Sequence, residues 1–155
     1  MKLRIVALGH RMPAWVAAGY DDYTRRLPRD FALDLVELKP EPREQRRSVA
    51  QVLAAEALRI QTACAGYRAV ALDERGAQWT TREFADRLRK WRDDADHVAF
   101  VIGSADGLAA DVKSRAMAVL AVSAMTLPHG LVRVLLAEQV YRAASLLAGH
   151  PYHRE

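Results

Sequence analysis

The segment Ser123-Ala124-Met125-Thr126-Leu127-Pro128-His129 places two hydroxyls and an imidazole directly before a run of helical periodicity. The N-terminus of a helix offers free N–H groups and partial positive charge, so this loop suits an anionic or electron-rich ligand. The same residues also fit a plain helix start, with Thr126 as the cap and Pro128 in the first turn. A second cluster, Gly103-Ser104-Ala105-Asp106-Gly107, has two glycines where a backbone must approach a ligand or adopt positive φ, or where a strand simply turns into a helix. Asp73, at a predicted strand end, could accept from a ribose hydroxyl or be an ordinary turn aspartate. The chain closes on His150-Pro151-Tyr152-His153-Arg154-Glu155, a run dense in side chains that stack, titrate and bind phosphate.

Several chemistries are poorly supported. There is no GxGxxG fingerprint and no GxxxxGK[ST] loop, so nicotinamide and P-loop nucleotide sites lack their marks. The five histidines and the single cysteine, Cys64, show no metal-ligand spacing apart from the short His150–His153 cluster, and no metal is expected. One cysteine allows no internal disulfide, which suits a reducing, cytoplasmic setting. No apolar run reaches the roughly 20 residues that span a bilayer, and Met1–Arg11 lacks a cleavable leader pattern, so no membrane partner is expected. The 155 residues suit one domain, residues 1–155, and the net charge of +4 is weak evidence for a polyanionic partner.

These clusters need elements to hold them. Lys2 to Leu8 reads as a buried strand. Pro13 opens a helix carrying Trp15, Gly19 and Tyr23 at helical spacing, which Pro28 ends. Phe31 to Leu38 alternates as a strand. Lys39 to Arg47, with two prolines and six charges, reads as a mobile surface excursion. Ser48 starts a helix with Val49, Val52, Leu53, Leu58 and Ile60, and Arg68 to Leu72 forms a strand that breaks into a turn over Asp73 to Gly76. Thr80-Thr81-Arg82-Glu83 is a capping box for a helix with Phe84, Leu88 and Trp91 on its inner stripe. His97 to Ile102 is a fourth strand, a short helix follows Leu108, Val119 to Val122 is a fifth strand, and a long helix runs from His129 to about Ala148. Strands alternating with helices predict an α/β fold, a mostly parallel sheet with helices on both faces. Three strand ends, Leu72-Asp73, Ile102-Gly103 and Val122 to Leu127, then share the edge where such sheets bind ligands.

The run from Ser123 to Ala143, with Leu131-Val132-Arg133-Val134-Leu135-Leu136-Ala137-Glu138-Gln139-Val140-Tyr141-Arg142 after the loop, and the closing Gly149-His150-Pro151-Tyr152-His153-Arg154-Glu155, closely resemble the RlmH (YbeA) family. Its members are SPOUT-class methyltransferases of bacterial 23S ribosomal RNA. The resemblance covers the whole chain, with the first strand, Leu72, Gly76, Gly103 and Gly107 in order. It implies a C-terminal trefoil knot, an exception to the usual chain-threading rules. It also implies an obligate homodimer whose last helix and tail complete the neighbouring subunit's site. Leu72, Gly103, Val122, Ser123, Ala124, Met125, Thr126 and Leu127 are implied to bind S-adenosylmethionine. The implied product is N3-methylpseudouridine in a 23S rRNA stem-loop, made on the assembled 70S ribosome. Two positions depart from the family pattern: Ser104, where a second glycine is common, and Gly130, where a larger side chain is common. A solvent-facing Ser104 would alter loop geometry at most, and Gly130 would loosen the helix start.

Methyl transfer from a sulfonium is an in-line displacement governed by positioning. Pseudouridine N3 carries a proton, and a base titrating near neutrality must take it, so His129 and His153 are both candidates. Tyr152 suits base stacking and Arg154 phosphate. Three rivals stand beside this reading: a non-catalytic ribosome-docking factor, a transfer-RNA methyltransferase, and a flavodoxin-like nucleotide module.

Overall fold

In the computed structural model the described residues are 1–43 and 46–154, with His153 and Arg154 described by backbone alone. The elements run β1 (Leu3–Leu8), α1 (Ala14–Thr24), β2 (Leu33–Leu38), α2 (Val49–Ala63), β3 (Arg68–Ala77), α3 (Thr81–Asp93), β4 (Val98–Ile102), α4 (Ala110–Arg115), β5 (Ala118–Leu120) and α5 (His129–Leu147). Every strand pairing is parallel, in the order β2-β1-β4-β3-β5. Crossovers toward the β2 edge (β1 to β2, β3 to β4) carry α1 and α3 on one face. Those toward the β5 edge (β2 to β3, β4 to β5) carry α2 and α4 on the other. Alternating direction with alternating face is what one uniform crossover hand requires.

Period-two burial splits the strands between two cores. Leu3, Ile5 and Ala7 of β1 and Val98, Phe100 and Ile102 of β4 face α1, α3 and α5, where they meet Tyr20, Leu88, Trp91, Leu136 and Val140. Val6, Leu8, Ala99 and Val101 face α2 and α4, against Ala57, Ile60 and Val112. The central strands are therefore apolar on both sides, which is why their sequences read as continuous hydrophobic runs.

The capping box at Thr80 forms as expected: Glu83 N–H donates to the Thr80 hydroxyl and Thr80 N–H to Glu83. Ser48 and Gln51 form a second one, closing the start of α2. Elsewhere the apolar stripes differ from expectation. Trp15 is 54% exposed, and Val16 and Tyr20 instead carry the buried face of α1. Val49 and Leu58 of α2 are exposed, while Glu56 and Ala57 are buried. The way each helix sits on the sheet, not side-chain size, chooses the inner face: Val16 and Tyr20 of α1 and Val52, Glu56, Ala57 and Ile60 of α2 turn inward, while Ala14, Ala17, Ala18 and Ala54 are exposed.

The Lys39–Arg47 segment is tied down at its described residues rather than free. Glu41 pairs with Arg47 and Arg59, its N–H donates to Glu56 at 3.0 Å, and Arg43 pairs with Asp106 at 2.8 Å. The expected turn at Asp73–Gly76 is an interruption inside one long strand: Leu72 and Ala77 both register with Leu120. Ala121 N–H donates to the Ala77 carbonyl at 2.9 Å, closing the return. Gly76 makes this possible, since a Cβ there would lie 2.7 Å from backbone atoms of Val119 and Leu120. Gly130 serves a similar end. A Cβ would meet Val16 at 2.8 Å, so its small size seats α5 on α1 rather than loosening the helix.

Gly76→Ala is expected to destabilise the chain by about 1–3 kcal/mol, because backbone rather than a movable side chain must give way. Denaturant midpoints of the two proteins, at unchanged slope, would measure it.

Candidate active site

Leu72 pairs with both Ile102 and Leu120, so the ends of β3, β4 and β5 stand level at one edge of the sheet. This brings Leu72, Gly103 and the segment after Leu120 together. Leu72, Gly103, Val122, Ser123 and Leu127 are half-buried, and Ala124, Met125 and Thr126 are exposed. The loop folds on local bonds: Met125 N–H donates to the Ser123 hydroxyl at 2.9 Å, and the Thr126 hydroxyl donates to Glu74 at 2.8 Å. Thr126 therefore does not cap α5; Pro128 occupies the N-cap, and no side chain bonds the first amides of the helix. Met125, 75% exposed, leaves a large apolar side chain in the open on this loop. An apolar cavity of about 70 Å³, lined by Trp79, Phe84, Leu120, Ala121, Val122, Leu136 and Gln139, lies against the start of the loop.

The Gly103–Gly107 loop closes on itself. Gly107 N–H donates to the Ser104 carbonyl at 2.8 Å, and Gly107 takes φ +81°. A Cβ at Gly103 would lie 2.5 Å from the Gly107 carbonyl oxygen, so glycine is needed there for the loop to shut. Ser104 does not face solvent as expected. Its hydroxyl donates to Glu56 at 2.9 Å, and the other Glu56 oxygen accepts from Glu41 N–H. A carboxylate 1% exposed is thereby given two donors, and the loop is fastened to α2. Asp73 accepts from Arg75 N–H at 2.8 Å and from the Lys113 ammonium at 3.0 Å. The Arg75 amide above all, with Lys113, holds its carboxyl below the usual range. It is a ready anion, but one already in use.

His129, the first residue of α5, bonds the Gly103 carbonyl through Nδ1 at 3.1 Å. A carbonyl only accepts, so Nδ1 carries the hydrogen and Nε2 the lone pair. Nε2 is buried and unpartnered. One turn further, Arg133 is 2% exposed and donates to the Gly9 carbonyl at 2.8 Å and to Glu37 at 2.9 Å. Burial first, and then the Arg133 cation, push the His129 imidazole below its ordinary range; the Gly103 bond and Glu37 oppose them. Sequence reasoning passed over Arg133, Glu37 and Gly9. The available signal was an arginine set inside the apolar run Leu131-Val132-Arg133-Val134-Leu135, four residues after His129.

The tail turns back onto α5 as a 3-10 turn over Pro151–Arg154. Tyr152 packs edge-on to Tyr141 at 4.6 Å between ring centroids, lies under Arg142 at 4.8 Å, and donates its hydroxyl to Glu138 at 3.3 Å. Burial and a hydrogen bond shared with Tyr23 raise its phenol well above the ordinary value, so it remains a protonated donor. Tyr23, Thr80, Arg82, Glu138, Arg142 and Tyr152 line an open groove there. The side chains of His153 and Arg154 lie outside the described residues. Within one chain the tail and the Val122–Leu127 loop are not brought together: the 19 residues of α5 separate them by roughly 27 Å at 1.5 Å per residue.

A family model described as "Predicted SPOUT methyltransferase" matches residues 1–153. The chain is 56% identical over 155 residues to proteins named "Ribosomal RNA large subunit methyltransferase H" from Burkholderia cenocepacia (strain HI2424) and Burkholderia mallei (strain NCTC 10229), covering 99% of each chain. Among solved structures it resembles a probable methyltransferase from Bordetella pertussis Tohama I, with TM-score 0.61, 21% identity, and 92% and 93% of the two chains covered. A methylase family protein from Neisseria gonorrhoeae shares the fold at TM-score 0.55, with 15% identity over 90% of this chain and 81% of that one.

Protonating His129 is easier in the unfolded chain than in the folded one. Its contribution to stability is complete above its ordinary range and is lost as pH falls below about 6.5 toward the lowered folded value. His129→Asn is expected to flatten the stability–pH curve in that window, read from thermal midpoints across pH 7 to 5. Separately, Ser104→Ala should cost about 1–3 kcal/mol by leaving a buried Glu56 oxygen unpaired, as denaturant unfolding would register.

Proposed function

Since the chain belongs to the SPOUT methyltransferase family, with full-length relatives named ribosomal RNA large subunit methyltransferase H, we propose that it is an rRNA methyltransferase that uses S-adenosylmethionine to methylate N3 of a pseudouridine in 23S rRNA. The assembled 70S ribosome is its substrate and the homodimer its working form, in the cytoplasm. The observation that carries this reading is 56% identity along the entire chain, the cofactor loop and the tail included.

The residues at the sheet edge fit the cofactor. Leu72, Val122, Leu127 and Met125 offer apolar surface for an adenosyl group, the backbone of Gly103 and of Ser123 through Thr126 offers donors and acceptors, and the uncapped first turn of α5 suits a carboxylate. When bound, S-adenosylmethionine supplies a methyl group on a positively charged sulfur. The loop's task is then to hold donor and acceptor in line. The threading implied by a trefoil knot accords with the close approach of Val119 and Leu120 to Gly76 and with the Ala121–Ala77 bond.

The separation between loop and tail favours a composite site. A tail some 27 Å from its own loop can serve chemistry there only by crossing to a second copy. Tyr152 then stacks on or orients the RNA, Arg154 binds phosphate, and Arg142 and Arg26, which lie against the Tyr141 and Tyr152 rings, add cationic surface. Of the two histidines that could take the N3 proton, the burial of His129 Nε2 favours His153 on the tail.

The direct test is transfer of labelled methyl from S-adenosylmethionine to ribosomes from cells lacking this gene, beside isolated subunits and transfer RNA. Label in N3-methylpseudouridine from 70S particles is expected. Label on transfer RNA alone would overturn the substrate, and no label with no cofactor binding would leave a docking factor. The composite site has its own test. Mixing a chain disabled in the loop with one disabled at Arg154 is expected to restore activity that neither homodimer has, because one of the two sites in the mixed dimer is intact.

A further inference from the structure

We propose that His129 and Arg133 are a positioning pair, whose role is to seat the start of α5, and with it the Val122–Leu127 loop, on the ends of β1, β2 and β4, and that His129 is not the proton acceptor. The proposal rests on the methyltransferase reading only for what the seated loop binds.

Three bonds make the seat. His129 Nδ1–H reaches the Gly103 carbonyl after β4, Arg133 Nη2 reaches the Gly9 carbonyl after β1, and Arg133 Nη1 reaches Glu37 near the end of β2. The two side chains are one turn apart on α5 and bracket Gly9: a Cβ there would lie 3.3 Å from His129 Cε1 and 3.4 Å from Arg133 Nη2. Gly9 thus supplies the space both need. Because α5 begins at His129, only Pro128 separates this seat from the loop. A shift of the helix start moves the loop with it, and small displacements of a positioned group are costly to transfer chemistry.

The same geometry removes His129 from proton transfer. An acceptor must come within hydrogen-bond reach of the proton it takes. Here Nδ1 is committed to Gly103, and Nε2, the nitrogen with the lone pair, is buried in protein. The charged groups facing the ring are Arg133 from its own helix and Glu37 from β2; the cation is nearly inaccessible and opposes a second positive charge beside it.

Four variants test this: His129→Ala, His129→Asn, Arg133→Met and Arg133→Lys. Asparagine keeps a donor near the Nδ1 position but cannot act as a base, and lysine keeps the charge but not the two-pronged reach. S-adenosylhomocysteine binding by calorimetry is expected to weaken about tenfold or more in His129→Ala and Arg133→Met, the effect of one buried partner lost. His129→Asn should recover most of that loss in binding and in kcat/KM, with the acid limb of the pH–rate profile unchanged. Arg133→Lys should fall between. Long-range proton–nitrogen spectra of the His129 ring, which need neither cofactor nor RNA, should show the Nδ1–H tautomer in the wild-type chain and its loss in Arg133→Met. Thermal midpoints establish that each variant is folded. If His129→Asn binds the cofactor normally yet is as inactive as His129→Ala and loses the acid limb, His129 is the acceptor and the proposal is overturned. Normal binding in all four variants, or an Nε2–H tautomer in the wild-type chain, would overturn it too. Binding and tautomer do not depend on which RNA is methylated, so failure of the substrate reading would be seen separately.

Discussion

The guanidinium of Arg133 lies inside the protein, held between the Gly9 carbonyl and Glu37, in a helix otherwise packed with leucine, valine and alanine. Removing a cation from water costs several kcal/mol, and a carbonyl and one half-exposed carboxylate offset that only in part. An aliphatic side chain would fill the same space at lower cost, so hydrophobic packing does not account for the arginine. What it adds is direction. An apolar contact lets a helix slide and rotate, whereas a fork bonded to two strand ends fixes both its height and its angle.

That fixed start sets the geometry of the candidate site. The parallel register levels the ends of β3, β4 and β5, the closed Gly103–Gly107 loop presents a carbonyl to His129, and the loop before α5 is held between them. Support also comes from the opposite face. Ser104 reaches Glu56 of α2, Glu56 reaches the backbone at Glu41, and Arg43 reaches Asp106. A polar chain therefore runs from the proline-rich segment after β2 into the loop after β4. The far end of α5 has a different character: Tyr23, Tyr141 and Tyr152 interleaved with Arg26 and Arg142, an aromatic and cationic surface suited to a nucleic acid.

Much of this was legible in the residues. Short apolar runs, one alternating segment, helical periodicity and the capping residues Ser48 and Thr80 located the five strands and five α-helices of the described residues, because buried parallel strands and helix starts are written in local sequence. That Leu72, Gly103 and the Val122–Leu127 loop share one edge followed from the strands being parallel, whereas the adjacency of β3 to both β4 and β5, which brings them together, came only with the fold. The inner faces of α1 and α2 were misread at Trp15, Val49 and Leu58, since apolar residues lie on more than one side of each helix and only its seating on the sheet selects Val16 and Tyr20, and Val52, Ala57 and Ile60. The turn expected at Asp73–Gly76 lies within a continuing strand, because β3 bulges there and Ala77 returns to the same Leu120 that Leu72 pairs with.

By itself the sequence determined the α/β class, the sheet edge of the candidate site, and the family, since each is set by local pattern or by a long specific motif. Only the tertiary structure decided the partners. Ser104 meets Glu56, Arg133 meets Gly9 and Glu37, His129 presents Nδ1 and hides Nε2, and the tail lies a helix length from its own loop. The pairs joined by hydrogen bonds are separated by 26 to 124 positions in the chain. Contacts between such distant residues come from the way the helices settle on the sheet, and no local periodicity encodes them.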